Sequence, residues 1–179
     1  MKGSSASASW TASDEDGGSG LATAASGTVS LDTSSVGPRT VSAPTAVDNV
    51  GHSSPLTSCG YNVVYTWNGF FQPIDNSGIL NVAKAGSAIP VKFSLSGDQG
   101  LGILAGSPTA AKVSCDSSVP TDIIEQLATS TTSGLKYDAT ADQYNYTWKT
   151  ASSYAGTCQK LTVQLADGTS HTALFKFTK

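Results

Sequence analysis

Charge is scarce in this chain. Only 13% of its 179 residues are Asp, Glu, Lys or Arg, the formal net charge is −3, and Arg39 is the single arginine. A surface that grips nucleic acid needs cations gathered along one face, and too few are present to build one. Long apolar runs are absent as well. Nothing approaches the roughly twenty residues of a membrane-spanning helix. Catalytic material is sparse. The two histidines, His52 and His171, lie far apart in sequence, and there is no Gly-x-Ser-x-Gly elbow and no His-x-x-x-His pair. A carboxylate pair for glycoside hydrolysis can be drawn from Asp75 and Glu125, but nothing in the sequence singles out that pair. The chain reads as no enzyme and as needing no cofactor for chemistry. The segment from Met1 to Ser5 lacks the apolar core of a secretory signal. The chain is therefore expected to be a piece of a longer secreted protein.

What fills the remainder is mostly Ser, Thr, Gly and other small residues. That mixture is poor in helix formers and suits short strands joined by tight turns. The clearest strand is Ile89-Pro90-Val91-Lys92-Phe93-Ser94-Leu95. Val91, Phe93 and Leu95 alternate with Lys92, Ser94 and Ser96, the period of a half-buried strand. Pro90 is placed at the strand entrance, where its missing N–H costs no ladder bond. This strand is expected at the centre of the C-terminal half.

The first half reads as strands at 4–13, 27–31, 39–43 and 61–67. The loop Asp14-Glu15-Asp16-Gly17-Gly18-Ser19-Gly20 and the turn-rich Asp48–Ser54 stretch separate them. Composition shifts toward aromatics at Trp67–Asn76, so a boundary falls near Tyr65–Asn68. Beyond it, strands are expected at 80–84, 111–115, 135–137, 144–148, 161–165 and 172–177. Asp138–Asp142 and Asp167-Gly168 mark hairpin turns. Residues 121–128 read as a strand in preference to a helix, because Ile123 and Ile124 are β-branched. Many short strands at this turn spacing make an all-β protein: two Ig-like β-sandwich domains in tandem, residues 1–66 and 67–179, the first small or incomplete.

Two resemblances add to this. Asp-x-Asp-Gly-Gly-Ser-Gly-Leu at 14–21 and Val-Asp-Asn-Val-Gly at 47–51 resemble the later part of a bacterial Ig-like repeat over roughly residues 9 to 66. Residues 67–179 resemble the PxKF domain family of bacterial, mainly actinobacterial, extracellular proteins. The name motif stands as Pro90-Val91-Lys92-Phe93. Asn68-Gly69-Phe70-Phe71, Lys84-Ala85-Gly86-Ser87, Tyr137-Asp138-Ala139, Asp142-Gln143-Tyr144, Trp148-Lys149-Thr150, Ala155-Gly156-Thr157-Cys158 and Phe175-Lys176-Phe177 match as well. The resemblance implies a non-catalytic domain at the C-terminus of a secreted multidomain protein, behind Ig-like repeats. It also pairs Cys115 with Cys158 in a disulfide, which implies an oxidising compartment. Cys59 is left without an obvious partner.

Two groups of residues are candidate sites. Asp14, Asp16 and Asp48, with Glu15 and Asn49 beside them, lie on two loops at strand ends and offer hard oxygen ligands suited to calcium. The plainer reading of the same residues is solvated acidic loops. Tyr144, Tyr146 and Trp148 share one face of one strand and form a candidate stacking platform for sugars; core packing explains the same spacing. The expected role is a structural or display module, extracellular or at a cell surface, whose partners are the neighbouring domains of a parent protein. A carbohydrate- or cell-wall-binding module and a self-associating, strand-exchanging subunit are the alternatives.

Overall fold

A computed structural model describes residues 1–76, 78–124 and 134–179. The chain divides into two compact units, Met1–Tyr65 and Thr66–Lys179. Strands account for nearly all the regular structure, and the fold class is all-β.

The first unit holds two antiparallel ribbons. Strand β1 (Ser7–Thr11) pairs with β2 (Ser26–Ser30), and β3 (Gly37–Ser42) pairs with β4 (Ser58–Val63). Along β1, β2 and β3, half-buried and exposed residues alternate, as the pleat requires. Among the described residues of this unit, only Ala46 and Val63 are buried hydrophobics. Trp10 lies across its cross-strand partner Gly27, where a Cβ would come within 2.9 Å of the indole. Glycine is required there because the ring occupies the space a side chain would take. The last strand of this unit lies earlier than the β-prone run Tyr61–Trp67 suggested. Register decides its position: β4 extends only as far as it finds partners, from Ser58 opposite Ser42 to Val63 opposite Gly37.

The second unit contains β5 (Phe70–Phe71), β6 (Leu80–Lys84), β7 (Ala88–Phe93), β8 (Thr109–Val113), β9 (Thr121–Ile123), β10 (Leu135–Asp138), β11 (Gln143–Lys149), β12 (Cys158–Gln164) and β13 (Ser170–Thr178). A single 3₁₀ turn, Ser152–Tyr154, precedes β12. One sheet has the order β10-β11-β7-β5, the other β8-β12-β13-β6-β9. All pairings are antiparallel except β6 with β13 and β6 with β9. The inward residues of β7 and β11 (Ile89, Val91, Phe93, Tyr144, Trp148) are buried. So are Leu161, Val163, Ala173, Phe175 and Phe177 from β12 and β13. Rings meet across the layers: Trp148 lies edge-on to Phe175 at 5.1 Å and to Phe177 at 5.8 Å. This is a two-layer packing around one hydrophobic interior.

Strand β7 does lie inside its sheet, but Pro90 is its third residue, not its entrance. The register explains why this is tolerated. Thr150 N–H donates to Ser87 C=O, which continues the β7–β11 pairing and turns odd-numbered β7 residues toward β11. Pro90 therefore faces the other side, where β5 pairs only with Phe93 and Lys92. No ladder partner is deprived of a donor. Ser94 also departs from the simple alternation. It is buried after β7 has ended, because its hydroxyl is drawn into a polar network described below. Of the 121–128 stretch, Thr121–Ile123 is a strand, and residues 125–128, Glu125 included, lie outside the described residues.

Candidate functional site

The acidic loops of the first unit are built from turn hydrogen bonds. Asp14 accepts the Gly20 N–H at 2.6 Å, folding the glycine-rich loop back on itself. Asn49 ties the two loops together: its side chain donates to Ser19 C=O at 2.8 Å, and its N–H donates to Gly20 C=O. Asp48 accepts the Val50 and His52 N–H groups at 3.0 and 2.8 Å, and its second oxygen lies 3.0 Å from His52 Nδ1. Desolvation pushes the Asp48 carboxyl up, but the His52 and Val50 amides and the His52 ring outweigh it. They hold it below the usual carboxylate range. Asp16 is exposed. Among the described residues no three His, Cys, Asp or Glu side chains come together in a way that holds a metal ion. The two loops predicted to supply calcium ligands are thus neighbours, and the oxygens of Asp48 already face N–H donors.

The aromatic strand faces inward. Tyr144 is fully buried, Trp148 is 5% exposed, and Tyr146 is half-buried. Phe93 stacks on Tyr144 with ring centroids 5.5 Å apart, and Tyr137 lies against the other side at 4.9 Å. Tyr144 and Trp148 therefore offer no open ring face on which a sugar could stack. Trp67 also packs onto rings, 5.2 Å from Phe93 and 3.7 Å from His171 in a nearly parallel stack. Burial lowers the His171 pKa below its ordinary value, against the pull of Asp167. A desolvated imidazole pressed on an indole is a packing element whose neutral form the site favours.

Sequence reasoning did not find the polar clasp at one end of the four-stranded sheet. Asp142 takes a left-handed conformation (φ 50°) in the β10–β11 turn, which turns its carboxylate back toward β7. There it accepts from Tyr137 Oη at 2.7 Å, Ser94 Oγ at 3.0 Å and Gly97 N–H at 2.9 Å. The Tyr137 hydrogen bond, with help from Ser94 and Gly97, holds the Asp142 carboxyl low; the same bond pushes Tyr137 up to about 12. Asn68 joins by donating to Ser94 and Ser96 Oγ. Tyr144 Oη accepts the Gln99 N–H at 2.5 Å and donates to Asp98 at 3.2 Å. The motif Tyr137-Asp138-Ala139-x-x-Asp142-Gln143-Tyr144 carries these groups, but turn preference alone accounts for both aspartates in the sequence. The clasp closes the buried end of Tyr144 and fixes the turn.

Asp75 has Asp122 as a carboxyl neighbour. Desolvation raises its pKa, and a hydrogen bond and charge repulsion from Asp122 add to the rise. Gln72 donates to it at 2.8 Å, and its own N–H donates to the buried side chain of Asn81. Cys115 and Cys158 form a disulfide (S–S 2.05 Å), and Cys59 is free and exposed. The disulfide ties the chain just past edge strand β8 to the start of β12, its partner in the sheet.

A cleft of about 340 Å³ opens in the first unit, uncharged along its whole lining. Strands β3 and β4 contribute one residue each, Val41 and Cys59, and the chain between those strands supplies the rest of that side. By contrast, β1 and its continuation contribute every residue from Ala8 to Ser13. Comparison of the chain with protein-family models, with curated proteins and with solved structures returned no match in any of the three.

Proposed function

We propose that this chain is a non-enzymatic structural or display module of a larger extracellular or surface protein. The observation that carries the reading is the destination of the aromatic side chains. Tyr144 and Trp148, two of the three rings of the predicted platform, are spent on the interior between two sheets, and Tyr146 is half-buried. The titratable groups found in clusters serve turns and strand ends. A domain whose clustered polar groups are engaged in holding its own backbone is suited to bear load or to present a neighbour. The Cys115–Cys158 disulfide supports an oxidising destination. No helix among the described residues is long and apolar enough to cross a membrane. The likeness to the PxKF domain and to the bacterial Ig-like repeat belongs to the same proposal.

Co-sedimentation with insoluble polysaccharides and bacterial cell walls, with and without calcium, tests it. The expected result is no saturable retention in either condition. Saturable retention reduced by Tyr146→Ala would establish the carbohydrate-binding alternative. Retention that requires calcium and is lost in Asp14→Asn or Asp48→Asn would place a calcium-dependent site on the acidic loops.

A further inference from the structure

The cleft in the first unit runs along a backbone edge. Side chains on a strand alternate between faces, so a cavity lying over one face touches every second residue. Four consecutive residues of β1, Ala8 to Thr11, line it together with Ala12 and Ser13 just beyond, as happens where a cavity follows a strand's edge. The hydrogen bonds identify the exposed groups. Ala12 N–H donates to Ala25 C=O, and Leu31 N–H donates to Ala6 C=O; both belong to the β1–β2 register. Even-numbered residues of β1 therefore bond to β2, and the N–H and C=O groups of Ser7, Ser9 and Thr11 point to the open side. No strand pairs with β1 on that side among the described residues.

Open edges in folded proteins usually carry a device against pairing: a proline, a lysine, or extreme shortness. Such devices are present at some other edges of this chain, though not on β2 or β4. Pro38 stands in β3, Lys112 in β8 and Lys136 in β10, and β5 is two residues long. Residues 3–13 contain no charge and no proline. Their apolar members, Ala6, Ala8, Trp10 and Ala12, recur at every second position.

We propose that the free edge of β1 docks the β1 edge of a second copy of this chain, the two strands pairing antiparallel across a two-fold axis. The strand complements itself. Pairing it with its own copy brings two uncharged edges together, with no like charges opposed. It supplies acceptors and donors for Ser7, Ser9 and Thr11, and sets the alternating Ala and Trp rows of both copies on the same face, over the apolar cleft. The inference stands apart from the functional reading above, because a polysaccharide-binding chain would pair in the same way.

Sedimentation equilibrium of the full chain, in reductant, from about 1 µM to about 1 mM tests it. The expected result is a mass that rises from one chain to two and stops there. Ser9→Pro removes one edge donor, and Ser9→Lys places like charges on the facing strands. Both weaken association by about tenfold or more while circular dichroism stays that of the parent. If the proline variant fails to fold, the lysine variant, at an exposed position, still decides. Thr40→Lys, on the free edge of β3, and Cys59→Ser leave association unchanged. A wild-type mass that stays at one chain throughout would overturn the proposal. So would growth beyond two chains, serine-9 variants that associate as the parent does, or association abolished by Thr40→Lys or Cys59→Ser.

Discussion

Replacing Cys115 and Cys158 together by alanine lowers the unfolding free energy of the Thr66–Lys179 unit by about 4 kcal/mol. The figure follows from the 43-residue separation that the disulfide closes. In the chain-entropy picture a loop of that length costs the unfolded ensemble about 13 cal/mol/K, or about 4 kcal/mol at 25 °C. For a unit of this size the loss corresponds to a fall in Tm of about 15 °C. Cys158 is buried, but alanine removes only its sulfur, so packing adds little to the loss. Urea unfolding followed by tryptophan fluorescence gives the measurement, with the oxidised parent, the reduced parent and the double variant compared. The reduced parent and the variant should agree, and both should show a larger m-value, because their unfolded chains are freer to expand. Thiol titration of the unfolded parent should find a single reactive group, Cys59. A loss below about 1 kcal/mol would refute the reasoning. A loss of the full size at an unchanged m-value would place the effect in the folded state and refute its entropic origin.

The folded form holds the His171 pKa below its ordinary 6.5, so it binds fewer protons there than the unfolded chain. Its contribution to stability is complete above pH 6.5 and is lost as pH falls through that value toward the folded pKa. The difference in urea stability between the parent and His171→Gln should therefore shrink between pH 7.5 and pH 5, and a constant difference would refute the assignment. Asp75 has the opposite sign: its raised pKa makes the ionised pair a penalty above its folded value, relieved as pH drops. Asp122→Asn should raise stability at pH 7 and leave it little changed at pH 4; a loss at pH 7 would count against the pair. Absorbance titration should find one tyrosine ionising near pH 12, absent in Tyr137→Phe. Trp148→Ala should cost about 3–5 kcal/mol, as expected for a ring lost from between two sheets, and a cost below about 1 kcal/mol would mean that the ring is not in the core.

Local patterns were readable, and long-range ones were not. The alternation of Val91 and Phe93 identified an inward face, and the Asp167-Gly168 turn and the Asp138–Asp142 loop identified two hairpins, because a strand's period and a turn's chemistry are written in neighbouring residues. The parallel pairing of β6 with β13 joins segments about ninety residues apart, and nothing in Leu80–Lys84 names its partner. Pro90 was misplaced because its tolerance depends on where β5 stops, a property of another strand. The aromatic spacing on β11 was visible, but spacing cannot say whether a second sheet covers it. The clasp was hidden for a similar reason. Asp142 looks like any turn aspartate until its left-handed backbone swings the carboxylate onto Ser94 and Gly97. The acidic loops were recognised as neighbours, while the bonds that occupy Asp48 arise from turn geometry that composition does not encode.

The position of β13 also bears on when this unit can fold. Strand β13 lies between β12 and β6 in the middle of the five-stranded sheet, and it is the last strand in the sequence. Until Thr178 has been synthesised, β6 and β9 are separated from β8 and β12 by a missing centre, and the interior lacks Ala173, Phe175 and Phe177. The closing contacts span almost the whole unit, so the entropic cost of looping the chain must be met at the end and at once. The five-stranded sheet of this unit is therefore completed only when its final strand has been made.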